Sequence, residues 1–276
     1  MGLRFEWKHG KPTTGTMDAS SIRPYELRDV PLTELASRTI QAGNRSYTWS
    51  DIFDITAMEG DEWSLPGNPN YLYLAAGLTS FALRVRGDAG DYAGMKMTGG
   101  QIIVEGSVGH AVGASMQGGI IRVAGDAGMR TGGPAPGSFD GMTDGEILIL
   151  GRTGEQAGYR MRRGLIAVHS CDQHPGYHMQ GGTLVVLNGS LQHPGISMRR
   201  GTIISLDRHT KPDCEPHFQP DCSYNPVVLR LIFQRLLSLQ FPISEKAMDG
   251  IFQQYSGDRL TTGKGELFHW SGMSSE

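Results

Sequence analysis

The chain has 276 residues and a formal net charge of −3, from 25 Lys+Arg against 28 Asp+Glu. That length accommodates one sizeable repeat domain with flanking segments, and the near balance of charge excludes a general nucleic-acid binder. Three cysteines, Cys171, Cys214 and Cys222, are too few and too odd in number for a disulfide framework; they point to a reducing, cytoplasmic setting. The opening MGLRFEWKHG has no apolar signal core. The longest apolar stretches, at residues 71–78 and 227–233, are too short to span a bilayer, so no membrane insertion is expected.

Residues 1–77 do not repeat and read as an N-terminal capping segment. Residues 18–35 carry acidic and small side chains, with a short helix near 31–37. YTWSDIFDIT, residues 47–56, reads as a strand leading to a turn.

The informative composition is glycine: 39 in the chain, about twice the usual ~7%. Of these, 27 fall between Gly87 and Gly201. GDAGDYAGMKMTGGQIIVE is followed directly by GSVGHAVGASMQGGIIRVA, both with the form G-x-x-G-x-x-x-G-x-x-M-x-x-G-x-I-x-V-x. Met97, Met116, Met142, Met161, Met179 and Met198 mark six units, spaced 19, 26, 19, 18 and 19 residues apart. Leu78, with Leu83 and Val85, adds a seventh in the same register. Each unit ends in an alternating run: Ile102/Val104, Ile121/Val123, Ile147/Ile149, Ile166/Val168, Leu184/Val186. Alternation is the strand period, and a strand of about five residues cannot fold alone. Stacked at roughly 4.8 Å, these runs would form one inward column of Ile102, Ile121 and Ile147 and another of Val104, Val123 and Ile149. The glycines mark corners that need positive φ or an inward position without a side chain, and the methionines fill the irregular space beside them. The predicted fold is all-β, a right-handed parallel β-helix of about seven coils over residues 78–207.

Residues 208–276 follow as a loop, a helix and an extended tail. VVLRLIFQRLLSLQF, residues 227–241, reads as a helix apolar over much of its circumference, suited to burial against the end of the stack or a partner. The tail, residues 255–270, reads as extended and able to pack along the stack.

The repeat resembles the GXGXG domain. That domain occurs at the C-terminus of the large subunit of glutamate synthase, as the C subunit of formylmethanofuran dehydrogenase, and as the C (gamma) subunit of the related bacterial formyltransferase/hydrolase complex. The likeness covers residues 78–206. The flanks GNRSYTWSDIFDI and YSGDRLTTGKGEL resemble the terminal segments of the C-subunit family. The resemblance implies a structural subunit with no catalytic residue and no cofactor of its own. Its partners would be an amidohydrolase-like subunit, a formyltransferase subunit and a further subunit. The complex would use methanofuran-type and tetrahydromethanopterin carriers, with metals on other subunits. The modest lysine content and the use of His, Gln and Met favour the formyltransferase/hydrolase branch. The alternatives are the corresponding gamma-type chain of a tungsten or molybdenum formylmethanofuran dehydrogenase, a detached glutamate-synthase-type domain, and a metal-binding enzyme.

Four groups of residues carry candidate chemistry. Arg160, Arg162 and Arg163 surround Met161, and Arg199 and Arg200 follow Met198, two units apart and so about 10 Å along one face. Arginine forks suit carboxylates. The furan carriers of the family have a polyglutamate-type tail, so this stripe meets such a tail, or is a solvated or subunit-contacting face. QHPG occurs at residues 173–176 and again at 192–195, which should stack His174 on His193, with Cys171 and His178 nearby. A repeated turn explains the pair as well as a metal site does. Cys214, His217 and Cys222, with His209 upstream, form the better zinc-like set, though their spacing is irregular. Finally, one unit is seven residues longer than the 19-residue period, and the extra sequence falls in GPAPGSFDG, residues 133–141. An insertion of this kind maps to one face of a repeat stack and touches partners, or is a tolerated loop.

Overall fold

The computed structural model describes residues 2–8, 16–22, 30–261 and 263–273. Part of the acidic N-terminal segment read from the sequence, residues 23–29, lies outside these. Among the described residues the chain is mostly β, with one 13-stranded sheet that is largely parallel and a smaller four-stranded sheet.

One strand per repeat builds the large sheet, and the register joins like positions of successive units. Trp63, Leu83, Ile102, Ile121, Ile147, Ile166, Leu184, Ile203 and Leu267 pair in one row. Two residues on, Leu65, Val85, Val104, Val123, Ile149, Val168, Val186, Ser205 and His269 form the next. The apolar members of both rows are buried in one continuous core. The two columns expected from the alternating runs are therefore present, and they extend beyond the units with a methionine at both ends.

The glycine period has a packing cause. At Gly132 φ is +68°, and a Cβ there would stand 2.6 Å from Ile166 Cδ1. The tip of the isoleucine from the next rung occupies the space an alanine would need. Beside each corner a methionine lies fully buried, from Met97 to Met198.

Both ends of the row are closed. At the N-terminal end the strand Gly2–Trp7 pairs in parallel with Glu62–Asn68 and antiparallel with Phe53–Met58. Phe5, Trp49, Phe53 and Trp63 pack there with ring centroids 5.5–5.7 Å from Phe5. The segment read as a strand and turn is instead the strand Arg45–Thr48, a helical turn Trp49–Ile52 and the strand Phe53–Met58. Thr48 and Asp51 close a reciprocal capping box that holds the turn. A short helix, Leu32–Ala36, lies where one was expected.

At the C-terminal end the tail is extended, as read. Lys264–Met273 adds in parallel to Arg200–Ser205 and antiparallel to Gly250–Gly257. The helix spans Val227–Ser238, shorter than expected. It covers the outward face of the sheet rather than an end. Leu229, Phe233 and Leu236 pack on Leu148, Ala167, Val185, Ile204 and Phe268. These outward positions are uniformly apolar from Leu148 on, whereas in the earlier rungs Ile103 stands between Arg84 and Arg122. Arg235 forks onto Glu146 at 2.6 and 2.8 Å. Arg122 donates to the carbonyls of Leu239 and Gln240, the chain just beyond the helix.

Candidate partner surface at the insertion

The long unit and the arginine stripe, separate features in the sequence, form one structure. Residues 133–141 fold over the turn face instead of hanging free. Ser115 is the buried anchor: its hydroxyl donates to the Asp140 carbonyl at 2.8 Å and accepts from the Ala135 amide at 2.9 Å. Ala135 packs with Ala111 and Ala114 in a small core of its own. The Asp140 carboxylate accepts from Arg162 at 2.9 Å and from Gln180 at 3.2 Å. Arg160 donates to the Phe139 carbonyl at 3.2 Å, and its guanidinium lies 5.7 Å from the Phe139 ring centre. Held this way on both sides, the Phe139 side chain is 79% exposed. A large aromatic fixed by its backbone and offered to solvent has little ordering entropy left to lose on binding.

The surface continues along the turns of neighbouring units. Arg130 lies 5.4 Å over Tyr159, which stacks on Tyr177 at 5.7 Å. Tyr177 meets His178 edge-on at 4.3 Å, and His174 stacks on His193 at 5.7 Å. The duplicated QHPG turns therefore do place their histidines face to face. His178 is held below the usual histidine range, chiefly by burial and then by Arg160 and Arg199.

Of the five arginines in the stripe, Arg160 and Arg162 are thus engaged by the insertion. Arg163 and Arg200 are exposed. Arg162, Gln180 and Arg199 occupy one position in successive units, each donating its amide to the methionine carbonyl of the unit before. The sequence did not signal that Asp140 would neutralise Arg162, because the insertion carries no repeat register. It did carry a signal for the ring ladder, since Tyr159 and Tyr177 both stand two residues before a methionine.

The cysteine and histidine set at 214–222 is dispersed. Cys214 is buried beside Phe218 in the core, and burial pushes its thiol up to about 11. His217 turns its Nδ1 towards Asp258, 3.2 Å away. Cys222 is exposed on the edge strand Gln219–Tyr224. Among the described residues no three His, Cys, Asp or Glu side chains gather to hold a metal ion. Cys171 is half-buried, and desolvation pushes its thiol up to about 12. Among the described residues no helix is long and apolar enough to cross a membrane.

These features define a repeat-built, mostly β chain whose most preorganised surface presents an aromatic side chain and cations outward. No protein-family profile matches the chain, and no curated protein matches it. Among solved structures it is similar to a chain of the formyltransferase/hydrolase complex from Methylorubrum extorquens, which was determined in complex with methylofuran. The two share 32% identity over 98% of this chain and 99% of the other, with a TM-score of 0.84. The chain belongs to the family of formyltransferase/hydrolase complex subunits.

Proposed function

We propose that the chain is the C (gamma) subunit of a formyltransferase/hydrolase complex, a right-handed parallel β-helix that holds catalytic subunits in register and supplies no catalytic residue. The observation that carries this reading is the end-to-end likeness to one chain of such a complex, joined to a repeat whose rows of paired strands run the length of the molecule. The three parts are a capping segment at 1–77, the coils at 78–207, and the loop, helix and tail at 208–276. The complex acts in the cytoplasm, moving a formyl group from a tetrahydromethanopterin carrier to a methylofuran-type carrier and then releasing formate. An amidohydrolase-like subunit, a formyltransferase subunit and one further subunit are its partners, and metals belong to those chains.

Phe139, stacked by Arg160, is the anchor for a partner subunit. Aromatic residues and arginine are enriched at protein interfaces. Arg163, Arg199 and Arg200 flank it and meet either the partner or the carboxylates of a carrier tail. The test is affinity purification of the tagged chain from cells carrying the whole complex. Co-elution of amidohydrolase-like and formyltransferase-like chains supports the reading, with Phe139→Ala lowering the recovered partner at least about tenfold in affinity. Elution of the chain alone would refute it.

A further inference from the structure

A second site lies at the opposite end of the rows from the aromatic cap. The inward row that begins Leu65, Val85, Val104 and Val123 stays apolar through Val186, then ends in Ser205 and His269. Both polar rungs are buried, Ser205 at 1% exposed and His269 at 5%. A buried imidazole at the end of a valine row is costly unless something uses it. His269 lines a cleft of about 670 Å³ between the loop 208–220 and the strands Gly250–Gly257 and Lys264–Met273. That volume is within the ~300–1,000 Å³ of small-molecule sites. The Nδ1 atom of His269 is buried and has no hydrogen-bond partner. A buried ring nitrogen left without a partner is unfavourable. Arg208 and Lys211 line the same cleft, and Arg208 is steadied 5.1 Å over the Trp270 ring. Pro212, Phe218 and Tyr255 form its apolar wall. The lining also holds two carboxylates, Asp213, whose Oδ2 lies 3.5 Å from His193 Nδ1, and the exposed Glu215.

We propose that this cleft binds a small organic monocarboxylate, its head against His269, Arg208 and Lys211 and its aliphatic body against Pro212, Phe218 and Tyr255. Arg208 and Lys211 are the lining's two cations and supply the partners of the carboxylate head. The apolar wall selects a ligand with a hydrocarbon body, which inorganic phosphate lacks. Glu215 repels a second carboxylate on the same ligand, so a dicarboxylate binds less well. Burial and Lys211, opposed by Asp207, hold His269 below the usual histidine range, so the ring is neutral at pH 7.

The experiment is a titration of the full chain with butyrate, succinate and inorganic phosphate at constant ionic strength, following the histidine ring signals by NMR. His269→Gln assigns the resonance. Butyrate is expected to shift the His269 signals saturably, succinate and phosphate more weakly, and Lys211→Ala to weaken butyrate about tenfold. Lys211 is exposed, so its replacement leaves the fold intact. A non-saturable response to butyrate, an equal response in Lys211→Ala, or phosphate binding as well as butyrate would overturn the proposal. No partner subunit is present in this assay, so its outcome is independent of the scaffold reading.

Discussion

Replacing Gly132 by alanine tests why the repeat needs its glycines. Two costs add. The backbone at φ +68° charges an L-residue about 1–2 kcal/mol. The new Cβ would lie 2.6 Å from Ile166 Cδ1 and 3.1 Å from Met142 Sδ, an overpacking worth about 1–3 kcal/mol. The single change should therefore destabilise by roughly 2–5 kcal/mol. Ile166→Val removes the offending methyl and by itself costs about 0.5–1.5 kcal/mol. In the double variant the clash disappears and the backbone strain stays. Its loss should then be about 1.5–3.5 kcal/mol, well under the sum of the singles. Gly137 supplies the control: φ is +76°, but nothing lies within 4 Å of its Cβ position. Gly137→Ala should cost only the strain and show no coupling to Ile166→Val. Urea unfolding followed by circular dichroism, at matched m-values, measures all six proteins. Additivity of Gly132→Ala and Ile166→Val within about 0.5 kcal/mol would refute the packing account.

Asp140→Ala removes the acceptor of exposed Arg162 and half-buried Gln180, so global stability should change by less than about 1 kcal/mol, while limited proteolysis within 133–141 should speed up several-fold. Iodoacetamide should label exposed Cys222 well before half-buried Cys171 and buried Cys214, whose thiols desolvation raises to about 12 and about 11; peptide mass mapping over time reads the order, and labelling of Cys171 as fast as Cys222 would refute it. His269 has a depressed pKa in the folded chain, mainly from burial. Its neutral form is native at and above pH 7, and as pH falls through the unfolded value near 6.5 the unfolded chain takes the proton first. Stability should fall there by at most about 1.4 kcal/mol per pH unit for this one group, levelling off once the folded pKa is passed. His178 contributes with the same sign. His269→Gln should flatten that part of a denaturant-midpoint profile against pH, and an unchanged slope would show that the ring does not titrate as described.

Much of the fold was legible because the repeat writes its own register. Six methionines at near-equal spacing align the strand runs, and alternation within each run names the inward residues, so the pairing of Ile102 with Ile121 and Ile147 needed no tertiary information. The stacking of His174 on His193 followed from the same period. The helix at 227–238 was legible as a helix from its apolar run, but its resting place was not. That depended on Leu148, Ala167 and Val185 turning outward together in adjacent rungs, a coincidence across three units that no local window displays.

The candidate surface divides the same way. Chain order supplied the arginines and the insertion as two facts. Only the folded chain brought the Asp140 carboxylate to Arg162 and Phe139 under Arg160, because the insertion has no periodic partner and its position is set by Ser115, one unit earlier. The cysteine and histidine set failed for the complementary reason: closeness in sequence says nothing of direction, and here Cys214 faces the core, His217 faces Asp258 and Cys222 faces solvent. By itself the sequence determined what repeats, since periodic spacing forces like residues into like environments. Tertiary structure alone decided what meets across the breaks in that period, since those contacts depend on distance in space and not along the chain.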